Sequence, residues 1–510
     1  MHTAEESSCR HPLGVLPRGN LLYSRHSHTD CRKPGLGSLQ CLDDTVLFEI
    51  LALLDPRTLL TLAGCSRALF AFSSRHEPLW KGIYLSQARG LLPCWYGNWR
   101  KTYIVQFLGV TTVGITDSIQ ALGLFSDVLF QPYLCSRVDV RQYFLPSRRR
   151  PRSNIPRVGA LDLEYDAYLR SYAEASLPVI ITGALSSWLA CSLWTPALLR
   201  EKYSEQLFRA EALDCTLETY LKYAENCDED DSPLYLFDSR FVEKTGGAMG
   251  TQYSVPSFFH EDLFGLMQDQ RPDYRWLIIG PARSGSTFHK DPNHTSAWNA
   301  VVSGRKGWVL FPPDVIPPGV YVTPDEAEVT SPLAVSEWFL SYFDEAWQTY
   351  GPNAREPSLR GKMKVGICEA GEVIYVPSGW WHLVVNLDFS IAVTQNYVST
   401  SEIGKVLAFM RDRPDQVSGF KKQSSLPQTE LHPLEAPPAS IPLFDQFCQA
   451  LKEGAPDALQ KGLMELPQAK SVNHQPSQSF WAAVKAKSAT PNSSGAPEVG
   501  AFSFDFEIDE

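Results

Sequence analysis

The chain has 510 residues, too many for one compact core, and its 44% hydrophobic and 12% aromatic content suits roughly two to four globular domains. A net charge of −11 argues against general nucleic-acid affinity, which needs clustered Lys and Arg. The one basic run, Arg148-Arg-Arg-Pro-Arg152, reads as a solvated linker or as a nuclear-localisation or docking segment. The 11 cysteines include no CxxC pair, the first residues do not resemble a signal peptide, and no run approaches the ~18 apolar residues of a membrane span. A soluble, reduced, intracellular protein is expected, with the nucleus favoured over the cytoplasm.

In chain order, residues 1–37 lack periodicity and are expected to be disordered. From Leu39 the pattern turns helical: Leu42, Val46, Leu47, Ile50, Leu51 and Leu54 recur at helical spacing, and Asp43 or Asp44 caps the helix. Asp55-Pro56 ends that helix. A second helix carries Leu59, Leu60, Leu62 and Ala63, and a third carries Leu69, Phe70 and Phe72. This unit, 38–84, resembles the F-box in Leu42, Ile50, Leu54, Pro56, Leu59, Leu60, Cys65-Ser-Arg67 and Leu79-Trp80, with Asp43 replacing the usual Pro. The resemblance implies docking onto the Skp-type adaptor of an SCF ubiquitin ligase; the plainer reading is a helical cap on the next domain. A connecting region and basic linker fill 85–156. Helical patterns at 161–173, 195–203 and 216–224 alternate with short strands near 177–183, 234–237 and 274–279. The acidic turn Cys227-Asp-Glu-Asp-Asp231 lacks the spacing of a calcium loop. Strands then dominate at 296–303, 307–311, 365–368, 372–376, 382–386 and 391–397, with Gly304-Arg-Lys306 read as a hairpin loop and 312–361 as an insertion with a helix near 335–348. Short strands between Gly, Pro and Asp turns indicate a closed barrel or jelly roll. Helices come next at 402–413, 443–454, 456–466 and 477–487, a possible cover for the barrel or dimer interface. The tail 488–510 is expected to be disordered.

The chemistry centres on Ser286-Thr-Phe-His289-Lys-Asp291. Residues two apart on a strand point the same way, so His289 and Asp291 present an imidazole and a carboxylate to one point. The run Gly371-Glu-Val-Ile-Tyr-Val-Pro377 reads as a strand that delivers His382 after Ser-Gly-Trp-Trp. Two His and one carboxylate form the facial triad of non-haem Fe(II) oxygenases. Trp380 and Trp381 either wall that site or pack in the core. His294, His260 and Arg283 are read as loop or structural residues.

These residues resemble the JmjC domain, an Fe(II)- and 2-oxoglutarate-dependent oxygenase fold. Within it they are most similar to the phosphatidylserine-receptor-type jumonji proteins, lysyl hydroxylases and arginine demethylases. Tyr274-Arg-Trp276, Gly280-Pro-Ala-Arg-Ser-Gly285, His289-Lys-Asp-Pro292, Thr295-Ser-Ala-Trp-Asn-Ala300, Gly379-Trp-Trp-His382 and Thr394-Gln-Asn396 carry the match over 170–400. The resemblance implies a multi-domain α+β chain: a helical F-box, a double-stranded β-helix (cupin-like jelly roll) over 157–400, and C-terminal helices over 401–487. It implies Fe(II) on His289, Asp291 and His382, with 2-oxoglutarate and O2 as co-reactants. Lys306 would pair with the distal carboxylate of 2-oxoglutarate, Tyr235 and Thr394 would offer it hydroxyls, and Asn299 and Ser286 would line its pocket. The implied reaction is hydroxylation of lysine, or demethylation of methylated lysine or arginine, in a protein substrate such as a histone. The alternatives are an SCF substrate receptor whose barrel only binds protein, and a cupin isomerase using a similar triad.

Overall fold

Asp43, Asp55, Ser66 and His76 each accept a backbone N–H of the next turn, and each starts a helix: Asp44–Ala52, Pro56–Ala63, Arg67–Ser74 and Glu77–Gln87. Asp55-Pro56 thus ends one helix and opens the next, with proline at a position where its missing N–H costs nothing. The first helix is shorter than its apolar pattern, because 37–41 forms a 3-10 turn instead. The computed structural model describes residues 11–20, 31–111, 115, 119–145, 153–421 and 441–466. The basic run at 148–152, the helix expected at 477–487 and the tail at 488–510 lie outside the described residues.

Disorder over 1–37 does not hold for 11–20 and 31–37. Leu13 and Val15 are fully buried, Leu16 bridges to Phe125, and Arg32–Leu36 is a short helix. Two apolar side chains in a short polar segment carry no periodicity, yet they suffice to dock it. The helical unit also shares its core with the C-terminal roll. One apolar cluster runs from Leu47, Leu59 and Trp80 through Trp99 to Trp298 and Tyr375. The acidic turn clamps the junction: buried Asp230 accepts from Trp99 Nε1 (2.8 Å) and Tyr223 OH (2.7 Å), and Arg75 pairs with Glu229 (2.6 Å). Arg283, read as structural, donates to the carbonyls of Asp230 and Cys227.

The remainder is built on fifteen strands among the described residues. They are β1 (Arg157–Gly159), β2 (Val179–Thr182), β3 (Leu207–Ala210), β4 (Leu213–Thr216), β5 (Leu236–Asp238), β6 (Arg275–Gly280), β7 (Gly285–His289), β8 (Ser296–Ser303), β9 (Arg305–Phe311), β10 (Tyr321–Val322), β11 (Val329–Thr330), β12 (Lys364–Glu369), β13 (Val373–Val376), β14 (Trp381–Asn386) and β15 (Ser390–Tyr397). The large sheet runs β1-β2-β13-β8-β15-β6-β5-β3-β4 and the small one β12-β9-β14-β7. Between them lies an apolar layer with Ile180, Ala297, Val301 and Ile374 from one sheet and Trp308, Leu310, Cys368 and Val384 from the other. This is the expected jelly roll. Residues at odd offsets face outward: Val309, Leu383 and Val385 pack under the insertion helices Val335–Ser341 and Phe343–Tyr350 through Trp338, Phe339 and Phe343. Helices Ile403–Asp412, Leu443–Gly454 and Pro456–Glu465 pack with Leu263, Phe264 and Met267.

Gly304-Arg-Lys306 is not the expected hairpin loop, because β8 and β9 belong to different sheets. The chain crosses between sheets at Gly304, whose φ is +79° and whose added Cβ would lie 2.3 Å from Phe389 O. Sequence spacing alone cannot tell a hairpin from a sheet-to-sheet crossing, since both need a short turn with glycine. The substitution Gly304→Ala is therefore expected to lower unfolding free energy by roughly 2–4 kcal/mol. An unchanged urea midpoint would contradict this crossing.

Candidate active site

The predicted site residues on β8, β9, β14 and β15 obey alternation; on β7 a register shift intervenes between Ser286 and His289. On β14, His382 and Asn386 face the interior with Val384, while Trp381, Leu383 and Val385 face out. On β9 the interior set is Lys306, Trp308 and Leu310; on β8 it is Ala297, Asn299 and Val301; on β15 it is Ala392, Thr394 and Asn396. The interior of the roll thus collects side chains that are far apart in sequence.

His289 ends β7 and lies opposite His382 in the β7–β14 ladder, with ring centroids 4.2 Å apart. Asp291 comes next in extended backbone, with its Oδ2 3.9 Å from His382 Nε2. One donor atom from each of the three lies within 4.8 Å of the others. His289 Nδ1 donates to Thr287 O (2.7 Å) and His382 Nδ1 to Trp380 O (3.0 Å). A carbonyl only accepts, so each ring carries its proton on Nδ1 and its lone pair on Nε2, the tautomer a metal ligand needs. Burial pushes both imidazoles down to about 4, helped for His289 by the neighbouring His382, so both are neutral at pH 7. Burial raises the Asp291 carboxyl to about 6, against the opposing pull of His289 and Asn396. Asp291 Oδ2 is buried and has no hydrogen-bond partner among the described residues. Neutral nitrogen donors and a buried, unsatisfied carboxylate oxygen fit a divalent metal well.

A second locus lies further along the same strands. Lys306 is not the surface residue that a hairpin would make it; it is fully buried on β9. Its Nζ donates to Tyr235 OH (2.5 Å) and Asn386 Oδ1 (2.8 Å), and Asn386 Nδ2 donates to Ser284 Oγ (2.9 Å). Both acceptors of Lys306 are neutral. Burial without a counter-charge lowers Lys306 to about 7. An anion placed there would restore its charge, so this pocket fits a carboxylate. Asn299 is buried in register with Thr394, and its Oδ1 also has no partner among the described residues. Thr394 Oγ1 donates to Trp298 O (2.9 Å). Ser286 sits half-buried opposite Val384, where the β7–β14 register shifts.

Sequence reasoning does not single out three further contributors. Asn386 and Asn396 each lie an even number of residues from a predicted member of their strand, which is the available signal. Asn396 Nδ2 donates to Asp291 Oδ1 (3.3 Å) and to Thr295 Oγ1 (3.1 Å), holding the carboxylate. Trp308 lies 6.2 Å from His382, ring to ring. Trp380 joins the same interior layer and donates to Ser176 O, whereas Trp381 packs on the outer face and does not wall the site. His294 packs on Phe409 and His260 on Tyr165, away from this chemistry.

A Cupin-like domain model matches residues 166–403. The chain is 38% identical over 478 residues to the arginine-specific demethylase JMJ22 of Arabidopsis thaliana, covering 92% of this chain and 87% of that protein. The chain belongs to the JmjC family of cupin-like proteins. The bifunctional arginine demethylase and lysyl-hydroxylase psr-1 of Caenorhabditis elegans is 37% identical over 306 residues, 58% of this chain and 74% of that protein. The human 2-oxoglutarate and iron-dependent oxygenase JMJD4 is 30% identical over 171 residues, 31% of this chain and 36% of that protein. Among the described residues of this JmjC protein, no helix is long and apolar enough to cross a membrane.

The buried lysine has a measurable consequence. Lys306 loses its proton near pH 7 when folded but only near its ordinary 10.5 when unfolded. Between those values unfolding takes up a proton, so stability rises with pH across that window, by up to about 1.4 kcal/mol per unit. Urea midpoints of the ligand-free chain should rise from neutral to mildly alkaline pH, and Lys306→Met should remove that component of the rise.

Proposed function

We propose that this protein is an Fe(II)- and 2-oxoglutarate-dependent protein oxygenase in which His289, Asp291 and His382 hold the iron and Lys306 anchors the cosubstrate. The observation that carries the reading is one roll interior with two complementary loci: a cluster of two neutral imidazoles and one carboxylate, and a buried lysine whose hydrogen-bond acceptors are both neutral. When bound, iron(II) and 2-oxoglutarate supply an oxidative decarboxylation that yields succinate and CO2 and places one oxygen atom of O2 in a substrate C–H bond.

The chain's own residues prepare that step. The carbonyls of Thr287 and Trp380 hold both imidazoles with Nε2 turned to the shared point. Asn396 takes one Asp291 oxygen and leaves the other for the metal. Lys306, with Tyr235 and Asn386, receives the distal carboxylate of 2-oxoglutarate; Thr394, Asn299 and Ser286 line the same pocket. Trp308 and the apolar interior layer exclude water beside His382. The substrate is a lysine, hydroxylated, or an N-methylated lysine or arginine in a protein such as a histone. Hydroxylation at an N-methyl carbon gives a carbinolamine that loses formaldehyde, so one oxygen insertion serves either outcome.

We assign adaptor docking to the unit at 38–84 as a second role. Val46, Ile50 and Leu53 are 47%, 38% and 75% exposed along its first helix, an apolar face suited to a Skp-type adaptor. Co-purification with that adaptor, lost on changing Ile50 and Leu53 to Asp, tests it. Pairing of two copies through the C-terminal helices, which expose Leu463 and Met464, and nuclear residence are proposed alongside. Sedimentation and localisation of the tagged chain check them.

Purified protein should convert 2-oxoglutarate to succinate with Fe(II) and O2, and His289→Ala, Asp291→Ala or His382→Ala should lower that turnover at least about 100-fold. Lys306→Met should raise the KM for 2-oxoglutarate by roughly 10- to 100-fold while leaving Fe(II) binding measurable. A wild-type chain that makes no succinate would sink the assignment.

A further inference from the structure

The proposed carboxylate ligand sits on backbone that no sheet holds. β7 ends at His289 and β8 starts at Ser296, so residues 290–295 lie outside both ladders. Asp291 is extended (φ −61°, ψ 144°), and after Pro292 the chain turns left-handed twice, with φ +55° at Asn293 and +55° at His294. Asparagine and histidine reach that region more readily than most side chains, yet two in succession still cost conformational energy. Backbone of this kind persists only where its surroundings over-determine it. Within the turn, Thr295 N and Thr295 Oγ1 both donate to Pro292 O (3.1 and 3.0 Å). These bonds close the turn but do not place it. From the roll, Ser378 Oγ donates to His294 O (2.6 Å), and Asn396 Nδ2 reaches Asp291 Oδ1 only at 3.3 Å.

A further hold comes from the C-terminal side of the roll. Asn293 Nδ2 donates to Ser418 O (2.9 Å), and Ser418 N donates to Asn293 Oδ1 (3.0 Å). The side-chain amide thus pairs with backbone as a neighbouring strand would. Asn293 is only 4% exposed, so water competes little for these bonds. Ser418 is itself anchored: Arg413 Nη1 and Gln416 Nε2 donate to Asp325 O (2.8 and 3.0 Å), and Val417 packs against the C-terminal apolar cluster. A second tie runs from Lys290 to Glu326 (3.4 Å) and on to Arg413 (3.2 Å). Glu326 is 41% exposed, so that charged tie adds little, and the buried amide pair dominates. Residues 413–418 lie beyond the segment 166–403 that matches the cupin-like domain.

We infer that Asn293 is a positioning residue: it seats the Asp291 carboxylate by pairing with the backbone of Ser418, which makes 413–418 part of the metal site. The Pro292 ring between Asp291 and Asn293 fixes one backbone angle, so a displacement of Asn293 is passed on to Asp291 rather than absorbed. The inference rests on the oxygenase reading, in which Asp291 holds the metal.

The test uses the full chain, freed of metal, with Co(II) as the probe and its visible absorption as the readout. Asn293→Gly keeps the left-handed backbone and deletes both bonds. Ser418→Pro deletes the Ser418 N–H and leaves Asn293 intact; Val417 before it is already extended (φ −69°, ψ 125°), as a following proline requires. Each variant should weaken Co(II) binding about tenfold. In the metal-free chain, Ser418→Pro should also speed hydrogen exchange at the Thr295 amide, across the pair from the substitution. Variants that lower the urea midpoint but bind Co(II) as tightly as wild type would show a role in stability alone and overturn the inference. Unchanged exchange at Thr295 in folded Ser418→Pro overturns it too. If Ser418→Pro does not fold, Asn293→Gly decides, because glycine adopts that backbone freely. A wild type that binds no Co(II) counts against the metal reading alone, since exchange at Thr295 still reports whether Ser418 holds the turn.

Discussion

Strand β14 is the constraint on which the site depends. It is hydrogen-bonded between β7 and β9, so its inward residues are set against residues of both neighbours along its length. His382 meets His289 of β7, and four residues on, Asn386 meets Lys306 of β9. A single strand therefore sets both the proposed metal locus and the proposed anion locus, at a spacing fixed by the strand rise. A slip of one residue would turn both inward side chains outward and bring Trp381 and Val385 in. The outer apolar layer, in which Trp381, Leu383 and Val385 pack under the insertion helices, holds that register.

The electrostatics of the interior are those of a site built ahead of its ligands. Two imidazoles are kept neutral, a carboxyl is raised, and a lysine is lowered, all by burial. Each is unfavourable for the fold alone, since a buried polar group without its partner costs stability. The surrounding apolar layers offset that cost. A cation at one locus and a dianion nearby would convert the same groups into strong, water-excluded contacts.

The N-terminal helices are joined to this roll more closely than a tethered module would be. Asp230, at the turn after the 217–225 helix, is buried against Trp99 and Tyr223, and the apolar core continues across the junction. An apolar edge at Val46, Ile50 and Leu53 remains exposed on the far helix. Any partner bound there would be held at a defined orientation to the roll.

The sequence by itself determined the chemistry and the fold class. His289, Asp291 and His382 could be picked out because their residue types sit in short motifs at or beside strand ends, Lys306 and Tyr235 came only through the resemblance to a JmjC domain, and the roll is implied by many short strands separated by turn residues. The ends of the strands read from the sequence were legible to within two residues, whereas the short β1, β3, β4, β10 and β11 carry too few residues to show a period and were not read. What only the tertiary structure decided was partnership. That Gly304 carries the chain between sheets, that Lys306 is buried against Asn386, and that Trp308 rather than Trp381 lies beside the ligands depend on which strands pair and on which sheet each joins. Docking of Leu13 and Val15, and the pairing of Arg75 with Glu229 across the junction, likewise rest on contacts between distant segments. Local patterns encode which way a side chain points along its own strand; they do not encode which strand lies opposite.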